Sequence, residues 1–128
     1  MNKILIVDDE KNQRELISYI LQKESYNTQT SATAEEALNI IKNDEIDVLI
    51  TDLKLPKMDG IQLLKEVSNI SPETSVIIIT GHGSIDSAVY AIKHGAFDYI
   101  TKPLKKEQII LVTKKAIERT NLLKERKF

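Results

Sequence analysis

The sequence predicts an α/β fold in which five parallel strands make one doubly wound sheet of order 2-1-3-4-5, with five helices on its two faces. Three observations carry this. Short β-branched apolar runs at 4–7, 48–50 and 76–79 are bounded by polar turn residues, as strands buried on both faces are. Between the runs, apolar residues recur at the i, i+3, i+4, i+7 spacing of amphipathic helices. The two patterns alternate strictly, which forces parallel pairing through right-handed crossovers.

Taken in order, the first strand is 4–7 and the first helical stripe is Leu16, Ile17, Ile20 and Leu21. Residues 27–31 are polar enough for a sheet edge, and Ala34, Ala37, Leu38 and Ile41 form the second stripe behind Thr33, with Glu36 completing a capping box. Strand 48–50 leads to a helix that starts at Asp59, buries Ile61, Leu64 and Val67, and stops before Pro72. Strand 76–79 precedes a stripe of Ile85, Ala88, Val89 and Ile92 ended by Gly95. Residues 97–100 form the last strand, and Ile109, Val112 and Ala116 mark the last helix.

At 128 residues the chain is one domain's length, and 18 Lys and Arg against 19 Asp and Glu leave a charge of -1, which argues against a general nucleic-acid binder. Without cysteine there is no disulfide framework, thiolate metal site or nucleophilic thiol. No apolar run approaches the roughly 18 residues of a membrane span, and the chain enters its first strand with no secretion signal. The expectation is a soluble cytoplasmic domain with no membrane partner.

In such a sheet, ligands bind beyond the carboxyl ends of the strands, near the switch in strand order. Asp8, Asp9 and Glu10 follow the first strand; Thr51 and Asp52 follow the third; Thr80 and Gly81 follow the fourth; Thr101, Lys102 and Pro103 follow the fifth. Singly, each is an ordinary turn or cap residue. Together they bring three carboxylates, a hydroxyl and an ammonium to one rim. Uncompensated, the carboxylates would repel and raise one another's pKa. A hard divalent cation resolves the conflict, because Mg2+ takes carboxylate oxygens together with a substrate phosphate. A carboxylate there can also attack phosphorus and form an acyl phosphate, with Lys102 and Thr80 receiving the phosphoryl oxygens and Gly81 leaving room.

These residues carry a resemblance. Over residues 2 to about 120, Ile6-Val7-Asp8-Asp9-Glu10, Asp52 with Pro56 and Asp59-Gly60, Thr80-Gly81 and Lys102-Pro103 resemble the flavodoxin-like receiver domain of two-component response regulators. The resemblance implies Asp52 as phosphoacceptor, with Asp9 a direct Mg2+ ligand, Asp8 acting through water and the main-chain carbonyl of Lys54 a further ligand. It implies Lys102 binding the phosphoryl group through a following cis peptide to Pro103, Thr80 and Tyr99 as a switch pair, and Lys54 and His82 as tuners of phosphoryl lifetime. Residues 80–89 and 95–99 resemble the nitrogen-regulation, or NtrC-like, subfamily, whose receivers precede an AAA+ ATPase that activates an alternative sigma factor. A sensor histidine kinase is then the phosphodonor, and a homodimer through the fourth helix, fifth strand and fifth helix, including outward-pointing Tyr90 and Lys93, is the expected output surface.

Other readings are weaker. A stand-alone phosphorelay or chemotaxis-type receiver has the same site. An aspartyl-phosphate phosphatase resembles Asp-x-Asp at the acceptor, where this chain has Lys54. A flavin carrier needs a hydroxyl-rich phosphate loop where Asp8, Asp9 and Glu10 would repel the phosphate. His82 and His94 are too few and too separated for zinc. The basic residues from Lys114 onward suit a solvated helix end better than DNA binding. Ile117, Leu122 and Leu123 extend past the domain's needs, so the receiver is expected at 1–120, with 121–128 a helical extension toward a linker or effector domain.

Overall fold

The computed structural model describes residues 2–81 and 85–125. Among them, strands β1 (Lys3–Val7), β2 (Asn27–Ser31), β3 (Val48–Asp52), β4 (Ser75–Thr80) and β5 (Asp98–Thr101) alternate with helices α1 (Lys11–Lys23), α2 (Ala34–Asn43), α3 (Gly60–Ile70), α4 (Ile85–Lys93) and α5 (Lys106–Glu125). The strands pair in parallel in the order β2-β1-β3-β4-β5. This is the predicted sheet.

Alternation along each strand divides the core in two. Leu5, Val7, Leu49, Val76 and Ile78 pack with α2, α3 and Ala91 of α4 on one face. Ile4, Ile6, Val48, Ile50, Ile77, Ile79 and Ile100 pack with Ile17, Leu21, Ile109 and Ala116 of α1 and α5 on the other. Covered on both faces, the central strands read as unbroken apolar runs.

Three expected helix faces are corrected. In α1, Ile17, Ile20 and Leu21 are buried but Leu16 is 50% exposed. In α4, the contact runs through Ala88 and Ala91, while Val89 and Ile92 are 46% and 40% exposed. Each of those two comes one residue after a buried alanine, roughly 100° around the helix, which turns it off the sheet. In α5, Ile117 is buried in the core instead of lying beyond it, while Leu122 remains exposed.

Capping also differs in detail. Thr33 Oγ1 accepts from Glu36 N–H at 3.1 Å, but Thr33 N–H turns to Ser31 Oγ, leaving half a capping box. The reciprocal box forms at α3, where Asp59 Oδ1 accepts from Gln62 N–H and Gln62 Oε1 accepts from Asp59 N–H.

The end of α5 is fastened to the base of the sheet. The Thr120 hydroxyl lies 2.9 Å from Asp47 O, 2.8 Å from Glu73 O and 2.7 Å from Ser75 Oγ. Arg119 donates to Ser75 Oγ, and Lys124 pairs with buried Asp47 and with Glu45. Arg119 and Lys124 are therefore clamps, where the sequence suggested a solvated end. The expected division between residues 120 and 121 falls inside this continuous helix.

Candidate functional site

Register assembles the rim. Val7 is paired with Thr51, so Asp8 and Asp52 leave neighbouring strands side by side. Their ligand oxygens and that of Asp9 all lie within 4.8 Å of one another. Asp8 and Asp52 are buried and Asp9 is exposed. On the next pair, Thr80 faces Thr101, and Lys102 N–H continues the ladder to Thr80 O at 2.9 Å. From there Lys102 Nζ reaches Asp52 Oδ2 at 2.9 Å, and the Lys102–Pro103 peptide is cis. The other Asp52 oxygen, Oδ1, accepts from Lys54 N–H at 3.2 Å.

The approach of α3 to Asp52 requires glycine. A Cβ at Gly60 would stand 2.5 Å from Asp52 O and 2.9 Å from Leu53 Cα, both backbone atoms that cannot yield cheaply. Its N–H donates to Leu53 O at 2.8 Å and closes the loop behind the aspartate. Gly81 differs: a Cβ there would meet nothing within 4 Å, so packing makes no demand for glycine.

The charges respond to this crowding. Burial, and secondarily Asp52, raises the pKa of Asp8, against the opposing hydrogen bonds from Glu10 N–H and Gln13. Burial pulls the Lys102 ammonium down, but the hydrogen bond and charge of Asp52, with Asp8 and Glu10, outweigh it and leave the pKa above its ordinary value. The repulsion expected from sequence is therefore present at Asp8 and partly offset by one ammonium.

The switch candidates share a sheet face. Thr80 follows Val76 and Ile78 at period two, and Tyr99 packs, half-buried, against their cluster. Thr80 is fully buried, and its Oγ1 has no hydrogen-bond partner. Lys54 is exposed, and His82 lies outside the described residues.

Two residues escaped the sequence reading. Gln13 donates to Asp8 Oδ2, and Arg14 Nη1 donates to Asp8 O at 3.1 Å. A signal for the first was available: Gln13 is a polar residue on the stripe of Ile17 and Ile20, at i, i+4, i+7. A larger open groove of about 780 Å³ lies away from the rim, against Ile46, Thr74 and Lys124, and includes none of the candidate site residues.

The model of the response regulator receiver domain matches residues 4–114. The chain belongs to that family. This receiver is 40% identical over 124 residues to a putative NtrX-like response regulator of Rickettsia bellii, covering 95% of this chain and 26% of the relative. Its fold superposes with a TM-score of 0.93 on NtrX from Brucella abortus in complex with ADP, at 39% identity, covering 99% of this chain and 30% of that one. The beryllofluoride-activated receiver domain dimer of NtrC4 gives a TM-score of 0.88 at 39% identity, covering 94% and 99% of the two chains. These relatives agree with the NtrC-like resemblance. The receiver spans about a quarter of the length of the curated relatives it matches, 26% and 27% for two of them. No helix among the described residues is long and apolar enough to cross a membrane.

Proposed function

We propose that this receiver takes a phosphoryl group from the phosphohistidine of a sensor histidine kinase onto Asp52, and that the resulting acyl phosphate resets a surface controlling an NtrC-like transcription activator in the cytoplasm. The observation that carries the reading is the setting of Asp52, nearly buried at the end of β3, with Lys102 on one oxygen, Lys54 N–H on the other and two further carboxylates beside it. One Asp52 oxygen attacks phosphorus, the donor's P–N bond breaks, and its electron pair stays on the imidazole nitrogen. Lys102 and the unpaired Thr80 hydroxyl, beside Gly81, receive the phosphoryl oxygens.

The oxygen-only donor set of Asp8, Asp9 and Asp52 fits Mg2+, with the Lys54 carbonyl as a further ligand and Asp8 acting through water. When bound, Mg2+ would supply charge neutralisation at the phosphoryl group. Lys54 and His82 would set the lifetime of the phosphoryl group, and Thr80 and Tyr99 would couple it to α4, β5 and α5. The exposed apolar residues Val89, Ile92 and Leu111, with Tyr90, suit that face to a homodimer or partner. The AAA+ effector domain expected after such a receiver would carry the output; the receiver itself binds neither nucleic acid nor membrane.

Intact-mass spectrometry after incubation with acetyl phosphate and Mg2+ tests the reading. One phosphoryl group is expected on the parent and none on Asp52→Asn. The same added phosphate on the Asn variant would overturn the assignment.

A further inference from the structure

We propose that Gln13 is a positioning residue of the carboxylate cluster, a neutral donor on α1 that fixes Asp8 for the cation while leaving the cluster's charge intact; this rests on the Mg2+ reading above. Gln13 is half-buried on the α1 face that carries Ile17 and Ile20, where an apolar side chain would serve packing better. Its carboxamide nitrogen donates instead to Asp8 Oδ2, while Glu10 N–H holds Oδ1 at 2.9 Å. Asp8 N–H is given to Ser31 O at 3.1 Å, and Asp8 O receives Arg14 Nη1 at 3.1 Å. Every polar atom of Asp8 is thus fastened. Each carboxylate oxygen still keeps a lone pair for a cation or its water.

The type of donor decides the consequence. Arg14 follows Gln13 directly and reaches the same residue, yet its guanidinium donates to the main-chain carbonyl and adds no cation to the carboxylate. An amide stabilises the ionised carboxylate by hydrogen bonding without adding a charge that competes with a divalent ion. A cation at position 13 would repeat on Asp8 what Lys102 does to Asp52 at 2.9 Å, and the site would lose attraction for the metal.

Calorimetric titration of Mg2+ into the parent, Gln13→Met and Gln13→Lys, with circular dichroism melts in EDTA, tests this. Gln13→Met keeps the length and loses the donor, and its Mg2+ dissociation constant should rise roughly tenfold, the usual effect of deleting an outer-shell partner. Gln13→Lys should weaken Mg2+ further while raising the metal-free melting temperature. Either variant, if folded by circular dichroism, suffices for the comparison. Affinities within about twofold of the parent, including the case where Gln13→Met lowers only the melt in EDTA, overturn the proposal and leave the Mg2+ reading standing. A parent that binds no Mg2+ overturns both.

Discussion

Lys102 Nζ lies 2.9 Å from Asp52 Oδ2 although Asp52 ends β3 and Lys102 follows β5, with the whole width of β4 between those strands. The pair exists only when β3, β4 and β5 are in register, so the charge arrangement at the rim is a product of the completed sheet. The ammonium neutralises one of three clustered carboxylates, and the Lys102 side chain is 36% exposed, within reach of an incoming anion.

Lys102→Met should therefore destabilise the metal-free receiver at neutral pH by on the order of 1 kcal/mol, a modest figure because the exposed ammonium is screened. The pH dependence has a definite sign. The folded-state pKa of Lys102 is raised, so its contribution is complete below the unfolded value of about 10.4 and is lost as pH rises through the folded value. Urea titrations at neutral and strongly alkaline pH should show a steeper loss for the parent than for Lys102→Met.

Asp8 departs from the usual behaviour of a native carboxylate, whose pKa is lowered by its partners. Its folded pKa is raised, so between the unfolded and folded values the native chain binds more protons, and stability falls as pH climbs through that window. Asp8→Asn removes this cost, and Gln13 can turn its amide to accept from the new Nδ2. The metal-free protein should gain on the order of 1 kcal/mol at neutral pH while its stabilisation by Mg2+ shrinks. Thermal melts with and without Mg2+ check both halves; an unchanged metal-free melt would count against a cost of burying Asp8 beside Asp52.

The sheet order, the two-faced core and the meeting of Asp8, Asp9, Asp52 and Lys102 were legible in sequence because they depend on period two and on the polar residues that end each apolar run. The exposed faces were less legible. Val89 and Ile92 satisfy the helical spacing as well as Ala88 does, and only the packed helix reveals that alanines make the contact. Arg119 and Lys124 looked like solvated charges because their partners, Ser75 and Asp47, are more than forty residues away in the chain. Gln13 was overlooked for a different reason: a single polar residue on an apolar stripe carries little weight until the carboxylate beneath it is seen.

Gly60→Ala tests how closely α3 must approach the phosphoacceptor. The added methyl would collide with Asp52 O and Leu53 Cα, so the start of α3 must retreat. A loss of about 2–3 kcal/mol is expected in chemical denaturation, within the range for overpacking, together with slower modification of Asp52 by acetyl phosphate. Unchanged stability would mean that the loop behind Asp52 yields more easily than its hydrogen bonds suggest.

At the other pole, Lys124→Met leaves Asp47, buried and otherwise held at Oδ2 by Lys3 N–H at 2.8 Å, without its cation. A cost of about 1–3 kcal/mol is expected from an under-satisfied buried carboxylate. Hydrogen exchange should rise in the last two turns of α5 and leave its first turns protected, because Ile109, Val112 and Ala116 hold those independently. Uniform exchange along the helix would show that the clamp is not what fastens its end.

The last prediction concerns how a phosphoryl group on Asp52 is felt at α4. A ligand shifts an equilibrium only through contacts that differ between two states. Thr80 supplies such a contact, because its hydroxyl is buried and unpaired now and would gain an acceptor in a phosphoryl oxygen. Thr80 ends β4 on the sheet face that Tyr99 occupies from β5, so movement of one changes the space open to the other. The helix over that face is joined to the sheet through Ala88 and Ala91, small side chains that interlock little and let it shift. Beryllofluoride with Mg2+ should therefore move the NMR resonances of Tyr99 and of residues 86–93 together with those around Asp52. Thr80→Val keeps the shape and removes the hydroxyl, and should leave beryllofluoride bound while reducing the distant shifts, a coupling worth about 1–3 kcal/mol. If the parent's changes stop at the neighbours of Asp52, with α4 and Tyr99 unmoved, this face is not the switch.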